Sequence, residues 1–497
     1  MSRGPTSRVL MVAADAGEIS FIRSHLGGLP TFRRLLSEGA FFPLHSTADH
    51  IPASVWPTMY TGTMPGEHGI SQHIQWDPGR MAMRRITADW LYTEPFWYGL
   101  SRSGLGVTVL DVPFTFGNRL PPVVEVSNWG SHDLMGRFTA NPPGLARDIR
   151  RRFGRHPMGY EIPVNKGAGQ LEAMRRELVT GAERKGRLAR WLRETTTWDL
   201  FLAVFGECHR GGHILWHDPE DESSHVPPGA LMDVYRAVDA GIGHVLEGID
   251  TETTTVVVFA LHGMGRNFSQ EHFVRHAMDR INASFRDRPM GGPVTRPRRA
   301  RREGGVMRLL RESVPPRLQH AIARGVPVEV RDWVVSRETT GGLDWDRTPG
   351  FALRSDLHSF VRLNVSGRER EGLLEEGSDA YNRYVERLTA GFLSLRIDGT
   401  NLPVIRDVVP AQRVFPGARQ ELLPDFILRW TDHPPASRVQ SEILGELVVA
   451  PDRGRTGEHR PEGFALVVGP GARAGRLPPL AHNRDFPGFV THLLNLP

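Results

Sequence analysis

Cysteine is the rarest residue in this 497-residue chain, which contains Cys208 and no other cysteine. A lone cysteine cannot form an intramolecular disulfide, and such usage is typical of proteins in a reducing compartment. The first residues hold only a strand-length apolar stretch that ends in an acid, rather than the longer apolar core of a signal peptide. We therefore expect a cytoplasmic protein.

Long apolar runs are also missing, and lysines are scarce. No stretch of about 18 apolar residues is present, so we expect no membrane span. The chain has 61 basic residues and a formal net charge of +5, yet only Lys166 and Lys185 are lysines. Such a skew more often reflects coding bias than nucleic-acid binding, and the dense cluster at 295–303 is typical of a solvated loop. Without zinc-finger spacing, an RNA-binding aromatic signature or a basic heptad pattern, there is no clear nucleic-acid signal.

What the chain does contain is an alternation of apolar strands and amphipathic helices. Helical periodicity covers 29–39, 169–196 and 228–249. Strand-like segments separate or follow these helices, at 8–14, 107–111, 122–126, 199–205, 254–261, 424–430 and 462–469. This order predicts an α/β fold, in which a largely parallel central sheet lies between helices in an α/β/α sandwich.

The periodicity fades between 266 and 345 among Arg, Pro and Gly residues, apart from a short helix predicted at 306–312. We interpret this less regular stretch as an insertion or cap over one end of the sheet. The expected organisation is an N-terminal part of the core at 1–265, the insertion at 266–345, and a C-terminal part of the core at 346–497.

Polar side chains follow several of the apolar strands. Asp15 ends the first strand, and His209 and His213 follow a later one at i, i+4, so that a helix would place both imidazoles on one face. His262 follows a third strand, and His459 lies in a glycine-flanked loop before a fourth. Ligands of open α/β sheets bind beyond the carboxyl ends of the strands. Because carboxylates and imidazoles are zinc ligands, the pattern predicts a metal centre there.

Five segments together resemble one family, in the family's own order and over nearly the whole chain. They are VLMVAADAGE (9–18), SVWPTMYTGTMPGEHGI (54–70), FLAVFGECHRGGHILWH (201–217), VVVFALHGMG (256–265) and GEHRPEGFALVVGPG (457–471). The chain is similar to the alkaline phosphatase superfamily, specifically to its type I phosphodiesterase/nucleotide pyrophosphatase branch.

The resemblance implies an alkaline-phosphatase-like α/β/α core, two zinc-like ions, and a Ser or Thr beside them that takes up the phosphoryl group. Asp15 matches the first-strand aspartate of one metal site, and His262 matches the histidine of the family's Asp-His-Gly element. His213 and His459 match the two histidines of the other site.

Three positions depart from the family pattern. Leu261 stands where Asp usually precedes His-Gly, and it cannot bind a metal. His209 stands where the family has Asp, four residues before the next histidine. The nucleophile position falls on Pro52, which has no hydroxyl, although a gap in the alignment would bring Ser54 or Thr58 into that position.

These departures leave one weakened metal site and one site of three histidines. The weakened site keeps Asp15 and His262, which either hold a second, weaker ion or act as acid and base groups. The other site becomes His209, His213 and His459. Three neutral imidazoles leave zinc one open position, where bound water has a pKa of about 7 and yields hydroxide without a protein nucleophile. We expect one or two divalent ions, with zinc as the metal.

Two further places near strand ends carry polar side chains. Glu207, two residues before His209, either orients the attacking water or holds an imidazole N–H, and the alternative is a cap on the next helix. The turn-rich stretch 127–133 holds Trp129, His132 and Asp133, and is either a substrate loop or an ordinary polar turn.

A basic segment later in the chain is a candidate for substrate binding. RLNVSGRERE (362–371) resembles a segment found in part of the family. Arg362, Asn364 and Arg368 within it could bind a phosphate through forked hydrogen bonds. The expected partner is accordingly a small anionic ester, and the pattern leaves the oligomeric state open.

The sequence thus predicts a metal-dependent hydrolase of a phosphodiester, pyrophosphate or related anionic ester. One alternative is a degenerate family member that binds metal or ligand without turnover, which Leu261 and Pro52 favour. His209 argues against it, because a decaying site rarely gains a good ligand. Another alternative is a biosynthetic enzyme that uses a single zinc for altered chemistry.

Overall fold

The computed structural model describes residues 8–117, 123–132, 136–158, 166–217, 225–287, 328–353, 355, 358–451, 454–473, 475 and 477–496. The helix predicted at 306–312 and the basic cluster at 295–303 lie outside these residues. Among the described residues, no helix combines the length and apolar character needed to cross a membrane.

The chain forms two compact units that differ from the organisation expected from the sequence. Unit 1 comprises Met1–Met64, Thr87–Arg266 and Gly454–Pro497, and unit 2 comprises Pro65–Ile86 and Asn267–Arg453. The stretch expected as the C-terminal part of the core is therefore divided between the units, because its first hundred or so residues build a separate core with their own sheets.

The α-helices are numbered in chain order. They are α1 (Ile19–Ser24), α2 (Pro30–Glu38), α3 (Val55–Thr61), α4 (Pro65–His68), α5 (Phe96–Arg102), α6 (Leu145–Phe153), α7 (Ala168–Thr195), α8 (Glu207–Leu215), α9 (Ala230–Leu246), α10 (Val274–Asp287), α11 (Val328–Thr340), α12 (Asp379–Leu393), α13 (Ala411–Val414), α14 (Pro470–Arg473) and α15 (Phe486–Leu493).

The β-strands are numbered in the same way. They are β1 (Arg8–Ala14), β2 (Ala40–Leu44), β3 (Ile74–Asp77), β4 (Ala82–Arg85), β5 (Val107–Leu110), β6 (Val124–Ser127), β7 (Thr139–Asn141), β8 (Leu200–Phe205), β9 (Thr254–Ala260), β10 (Gly263–Arg266), β11 (Gly350–Leu353), β12 (Ser359–Leu363), β13 (Arg396–Ile397), β14 (Ile405–Pro410), β15 (Phe426–Trp430), β16 (Arg438–Gln440), β17 (Leu447–Val448), β18 (Gly457–Arg460) and β19 (Gly463–Val468).

The central sheet of unit 1 has the order β2-β19-β9-β1-β8-β5-β6-β7. Its inner strands, from β9 to β6 in that order, are parallel, whereas β19, β2 and β7 pair antiparallel. Strands β8 and β9 are buried along their whole length, as continuous apolar runs predict for strands covered by helices on both faces. The predicted α/β class with a largely parallel sheet is confirmed.

Alternate residues of β9 show the three layers. Val256 and Val258 pack into the large core cluster that includes side chains of α7 and α9. Phe259 points to the other face, where its ring centroid lies 6.2 Å from that of Trp56 on α3 and 4.8 Å from that of Phe486 on α15. Burying an aromatic side chain of this size contributes roughly 2–3 kcal/mol, so both faces of the sheet are held by apolar packing.

Unit 2 has a core of its own. Its sheet of order β11-β12-β15-β14 is antiparallel, and β13-β16-β17 and β3-β4 form smaller antiparallel sheets. Ile281 of α10 and Leu388 of α12 are buried in one cluster with Val361 and Leu428 of the sheet.

A buried histidine makes unit 2 sensitive to acid. His68 ends α4, and its Nδ1 accepts a hydrogen bond of 3.0 Å from the backbone N–H of Ile70. Burial lowers the pKa of His68 from 6.5 to about 3. Below pH 6.5 the unfolded chain therefore binds a proton at His68, whereas the folded chain does not. The free energy of unfolding decreases as the pH falls through this range.

We expect His68→Asn to reduce this acid sensitivity, because the asparagine oxygen can accept the same hydrogen bond without titrating. Lowering the pH from 7 to 5 should decrease the free energy of unfolding of the wild type by about 2 kcal/mol through the protonation of this histidine in the unfolded chain. Urea unfolding of both proteins at the two pH values measures this difference. An equal loss in the wild type and the variant would contradict the assignment.

Candidate metal centre

The carboxyl edge of the central sheet carries Asp15 and helix α8. Ala14 pairs with Phe205 in the parallel strands β1 and β8, so both strands end at the same level. The backbone N–H of Asp15 donates to Phe205 O at 2.9 Å, and α8 begins directly after β8. His209 and His213 lie one turn apart on α8. The strand register therefore brings the acid and both imidazoles to one place.

Three imidazoles form a tight, buried cluster at this edge. His209 Nε2 lies 3.1 Å from Nε2 of His213 and 3.1 Å from Nε2 of His459. Zinc–nitrogen bonds of about 2.0–2.1 Å would place tetrahedral ligand atoms about 3.3–3.4 Å apart. The two observed spacings differ from this value by a few tenths of an ångström, and candidate ligand atoms of all three histidines lie within 4.8 Å of one another.

His459 lies on a strand, so the loop expected from its flanking glycines is wrong. Strand β18 pairs antiparallel with β10 and also lies against α8. Glycine at position 457 permits this approach, because a Cβ there would overlap the carbonyl oxygen of Gly212. Thr456 N–H donates to His213 O at 2.7 Å and holds the two elements together. This close packing brings His459 to the histidine pair of α8.

The hydrogen bonds of two rings leave nitrogen lone pairs that face each other. His213 Nδ1 lies 3.0 Å from Gly457 O, and since a carbonyl only accepts, Nδ1 carries the proton and Nε2 of the neutral ring carries a lone pair. His209 Nδ1 lies 3.1 Å from Asp15 Oδ2, so in the neutral form of this ring Nδ1 carries the proton and Nε2 the lone pair. With both rings neutral, the two Nε2 atoms, 3.1 Å apart, repel each other unless a cation lies between them.

Burial opposes a proton as that cation. Burial first, and then the charges of Arg455 and His209, lower the pKa of His213 well below its ordinary value. Burial and the neighbouring His213 and His262 likewise lower the pKa of His459 well below its ordinary value. Neutral imidazole is the form that binds metals, so this cluster has the donor set of a metal site at neutral pH.

Asp15 is fully buried, and both of its oxygens have partners. Oδ1 accepts from Trp56 Nε1 at 2.9 Å, and Oδ2 lies 3.1 Å from His209 Nδ1 and 2.9 Å from His132 Nδ1. Burial alone would raise the pKa of Asp15, but the facing His132 and His209 lower it well below its ordinary value. A carboxylate that holds the second N–H of a metal-binding histidine fixes the ring's orientation and raises its basicity.

His132 is the residue of this site that the sequence pattern did not assign to the metal. Its ring stacks on that of His209, with centroids 3.8 Å apart and an interplanar angle of 22°. Candidate ligand atoms of Asp15, His132 and His209 all lie within 4.8 Å of one another. His132 follows β6, a parallel strand of the sheet. The rule that joins polar residues after parallel strands could therefore have found it.

His262 lines the same cluster. Its ring centroid lies 4.7 Å from that of His459 and 5.6 Å from that of His209. Its Nδ1 lies 3.0 Å from Gly263 O, and burial lowers its pKa to about 4, so the ring is neutral at pH 7. Leu261 before it is fully buried.

Glu207 opens α8, and its partners differ from those expected. Its Oε1 lies 2.9 Å from His156 Nε2 and 3.7 Å from Lys185 Nζ. Burial would raise the pKa of Glu207, but Lys185 and His156 lower it below its ordinary value. The imidazole that Glu207 holds is therefore that of His156 rather than one of the clustered histidines, and its role in orienting water stays a prediction.

The hydroxyl groups proposed as nucleophiles lie in a buried segment of unit 1. Ser54 Oγ lies 2.7 Å from both Thr47 Oγ1 and Ile51 O, and it is fully buried. Thr58 is fully buried on α3, and Pro52 begins the short turn that precedes this helix. The Ser54 hydroxyl is thus engaged within its own segment.

The three residues proposed for substrate binding lie in unit 2. Arg362 is buried and donates from Nε to Glu369 Oε1 at 2.8 Å. Arg368 donates to both oxygens of Asp425, at 2.7 and 2.8 Å. Asn364 Nδ2 donates to a backbone carbonyl at 3.1 Å. These contacts engage both forked donors of Arg368 and the Nε of Arg362 inside the unit, and a role in substrate binding stays a prediction.

The fold and the site together define an α/β protein with a buried histidine cluster at the carboxyl edge of its main sheet. A model of the type I phosphodiesterase/nucleotide pyrophosphatase family matches residues 9–309. The chain belongs to this family, which confirms the resemblance to the alkaline phosphatase superfamily and identifies the protein as a hydrolytic enzyme by class.

Solved structures share the fold along the whole chain. Phosphonoacetate hydrolase from Sinorhizobium meliloti 1021 is 15% identical, with a TM-score of 0.54, 99% of this chain and 97% of that chain being covered. Human ectonucleotide pyrophosphatase/phosphodiesterase 5 is 14% identical, with a TM-score of 0.51, and the coverage is 99% and 95%. An inactive form of the murine protein, in complex with AMP, is 12% identical, with a TM-score of 0.50, and the coverage is 99% and 96%. No curated protein matches the chain significantly.

Proposed function

We propose that this protein is a metal-dependent hydrolase of a phosphodiester, pyrophosphate or related anionic ester, with one divalent ion on His209, His213 and His459. One observation carries the metal site: Nε2 of His209 lies 3.1 Å from Nε2 of both His213 and His459 in a buried cluster, where burial lowers the pKa of His213 and of His459 well below the ordinary value. Membership in a family of divalent-metal hydrolases supports the reaction class.

Zinc is the metal that suits these donors. Three imidazole nitrogens favour zinc over magnesium or calcium, which prefer oxygen ligands. A divalent ion at this place would supply Lewis-acid activation of water and of the ester. Asp15 would hold His209 in its tautomer and orientation through the contact of 3.1 Å.

Water rather than a side chain is the proposed nucleophile. Pro52 has no hydroxyl, and the Ser54 hydroxyl is engaged by Thr47 and Ile51 at 2.7 Å. His262, with a pKa of about 4, would be a neutral proton acceptor at pH 7 beside the cluster. The substrate would be a small anionic ester, the protein would be cytoplasmic, and Arg362, Asn364 and Arg368 stay candidates for binding the anion.

Two specific residues favour a second candidate function. Leu261 is fully buried and stands where the resemblance expects a metal-binding Asp, and the same resemblance without a gap puts Pro52 at the nucleophile position. A protein with these changes could retain the metal and bind a ligand without turnover, or use a single zinc in altered biosynthetic chemistry. The His209 contacts favour the hydrolase, because they give the remaining site three nitrogen donors.

Metal analysis combined with a substrate panel tests the proposal. Purified protein should contain one zinc per chain, and a strong chelator should remove both the zinc and hydrolysis of aryl phosphodiesters, dinucleoside pyrophosphates or phosphonates. Phosphonoacetate belongs in the panel because a protein of similar fold hydrolyses it. Protein without zinc would overturn the metal site. Zinc without turnover across the panel would favour the second candidate.

A further inference from the structure

The backbone directly before His132 is held by buried charged side chains. Both carboxylate oxygens of Asp111 accept from this segment, from the N–H groups of Trp129 and Gly130 at 2.8 Å each. Lys185 Nζ, from α7, donates to Gly130 O at 3.2 Å. Gly130 is thus held on both sides of its backbone, with its N–H bound by an acid that follows β5 and its carbonyl bound by a lysine in the middle of a long helix.

A third charged residue extends the grip by one residue. Arg210, next to His209 on α8, donates from Nη2 to Ser131 O. Asp111, Lys185 and Arg210 are 1%, 0% and 2% exposed, although all three have ionisable side chains. We call these three residues the clamp.

Stability alone is a weak reason for this arrangement. Lys185 Nζ lies 3.1 Å from Asp111 Oδ2 and 3.7 Å from Glu207 Oε1, and Arg210 lowers the pKa of Glu207, so two cations offset two carboxylates. Buried ion pairs of this kind contribute little or nothing relative to apolar side chains of similar volume. They instead fix one conformation of the backbone segment to which they are hydrogen-bonded.

The clamped segment has little freedom. Asp111 and Asn128 adopt left-handed backbone conformations, with φ of 56° and 62°. A Cβ at position 130 would lie 2.6 Å from His156 Cδ2 and 3.1 Å from Lys185 Nζ, so a larger residue there would displace the buried His156 ring. Strained backbone persists where surrounding structure over-determines it, and it concentrates at functional sites.

The clamp ends at the ring that stacks on a proposed metal ligand. His132 lies 3.8 Å from His209 between ring centroids, and its Nδ1 lies 2.9 Å from Asp15 Oδ2. We propose that Asp111, Lys185 and Arg210 are positioning residues of the metal centre, which hold His132 so that it and Asp15 together fix the His209 ring toward the ion. This inference rests on the proposed metal site and is independent of which ester is hydrolysed.

Zinc affinity in a double-mutant cycle tests the clamp. We expect Lys185→Met and His132→Ala each to weaken zinc binding about 10- to 100-fold, the usual effect of removing a group that orients a metal ligand. Because the lysine acts through His132, the double variant should bind zinc no more than about twofold more weakly than His132→Ala alone. The visible spectrum of bound Co²⁺, which reports ligand geometry, should change in both single variants.

Arg175→Met is the matched control, because it removes a cation from the same helix that pairs with Glu172 and Asp233 instead. It should leave zinc affinity and the Co²⁺ spectrum unchanged. If Lys185→Met fails to fold, Lys185→Met with Asp111→Asn removes the two opposite charges together and should show the same loss of affinity.

Each other outcome has a definite meaning. Wild-type affinity and spectrum in folded clamp variants, or losses that multiply in the double variant, would overturn the clamp and leave the proposed function standing. Wild-type protein that binds no zinc would overturn both.

Discussion

Replacing His213 by alanine should abolish zinc binding and reduce hydrolysis to the rate of the metal-free protein. Its Nε2 faces His209 Nε2 at 3.1 Å, and its Nδ1–H is already fixed by Gly457 O at 3.0 Å. Structural zinc sites with four ligands bind with about 10–16 kcal/mol, so one ligand is worth roughly 2.5–4 kcal/mol, or about 70- to 900-fold in affinity. Zinc content after gel filtration and initial rates measure the two effects.

His217→Ala is the matched control, since this exposed histidine lies four residues further along and beyond the end of α8. It should keep full zinc content and activity. A His213→Ala protein that still contains one zinc per chain would remove this histidine from the metal site.

Two further alanine variants, assayed in the same way, distinguish metal-bound water from a side-chain hydroxyl as the nucleophile. Ser54→Ala and Thr58→Ala should keep most of the activity, since the Ser54 hydroxyl is bonded within its own segment. Trapping a covalent phospho-enzyme on either residue would instead restore a two-step route through a side chain.

The sequence was most informative where a buried strand ends in a polar residue. Asp15 and His209 follow apolar runs, and the register of Ala14 with Phe205 places both at one edge. Continuous apolar runs predicted a sheet covered on both faces because such strands have no polar face to present to water. The fold class could therefore be predicted from the pattern alone.

Contacts between residues that are distant in the sequence could not be predicted from the sequence pattern. His459 occupies its place because β18 pairs with β10 and Gly457 permits contact with α8. Lys185 contacts Asp111 across a separation of more than seventy residues, at 3.1 Å. No local sequence pattern indicates either contact. A prediction from neighbouring residues therefore placed His459 in a loop and gave Lys185 no role.

Charged residues in short motifs were the least predictable. Arg362 and Arg368 resemble an exposed phosphate-binding pair in sequence, yet Glu369 and Asp425 engage them inside unit 2. Glu207 stands beside the histidine pair in sequence, whereas its carboxylate faces Lys185 and His156. The face of the helix on which such a side chain lies and its partners distant in sequence decide where it points. Neither can be obtained from a single sequence.

The second large effect concerns His209, whose two nitrogens connect the histidine cluster with Asp15. His209→Asp should retain some zinc, because a carboxylate can also bind it, while His209→Ala should lose zinc more severely. Aspartate would, however, place a second negative charge beside Asp15, whose Oδ2 lies 3.1 Å from the ring nitrogen that is removed. Added negative charge makes the ion a weaker Lewis acid and raises the pH at which water on it ionises.

Activity at pH 7 should therefore decrease in the order wild type, His209→Asp, His209→Ala, and the rate optimum of His209→Asp should move to higher pH. Full pH–rate profiles and zinc titrations of the three proteins measure this order. His209→Asn separates charge from ligation, since it has nearly the shape of Asp without the charge. It should bind zinc more weakly than His209→Asp, and at saturating zinc its rate optimum should stay near that of the wild type. Equal metal binding in all variants, with no hydrolysis of phosphodiesters, pyrophosphates or sulfate esters, would instead favour a metal-binding protein without turnover.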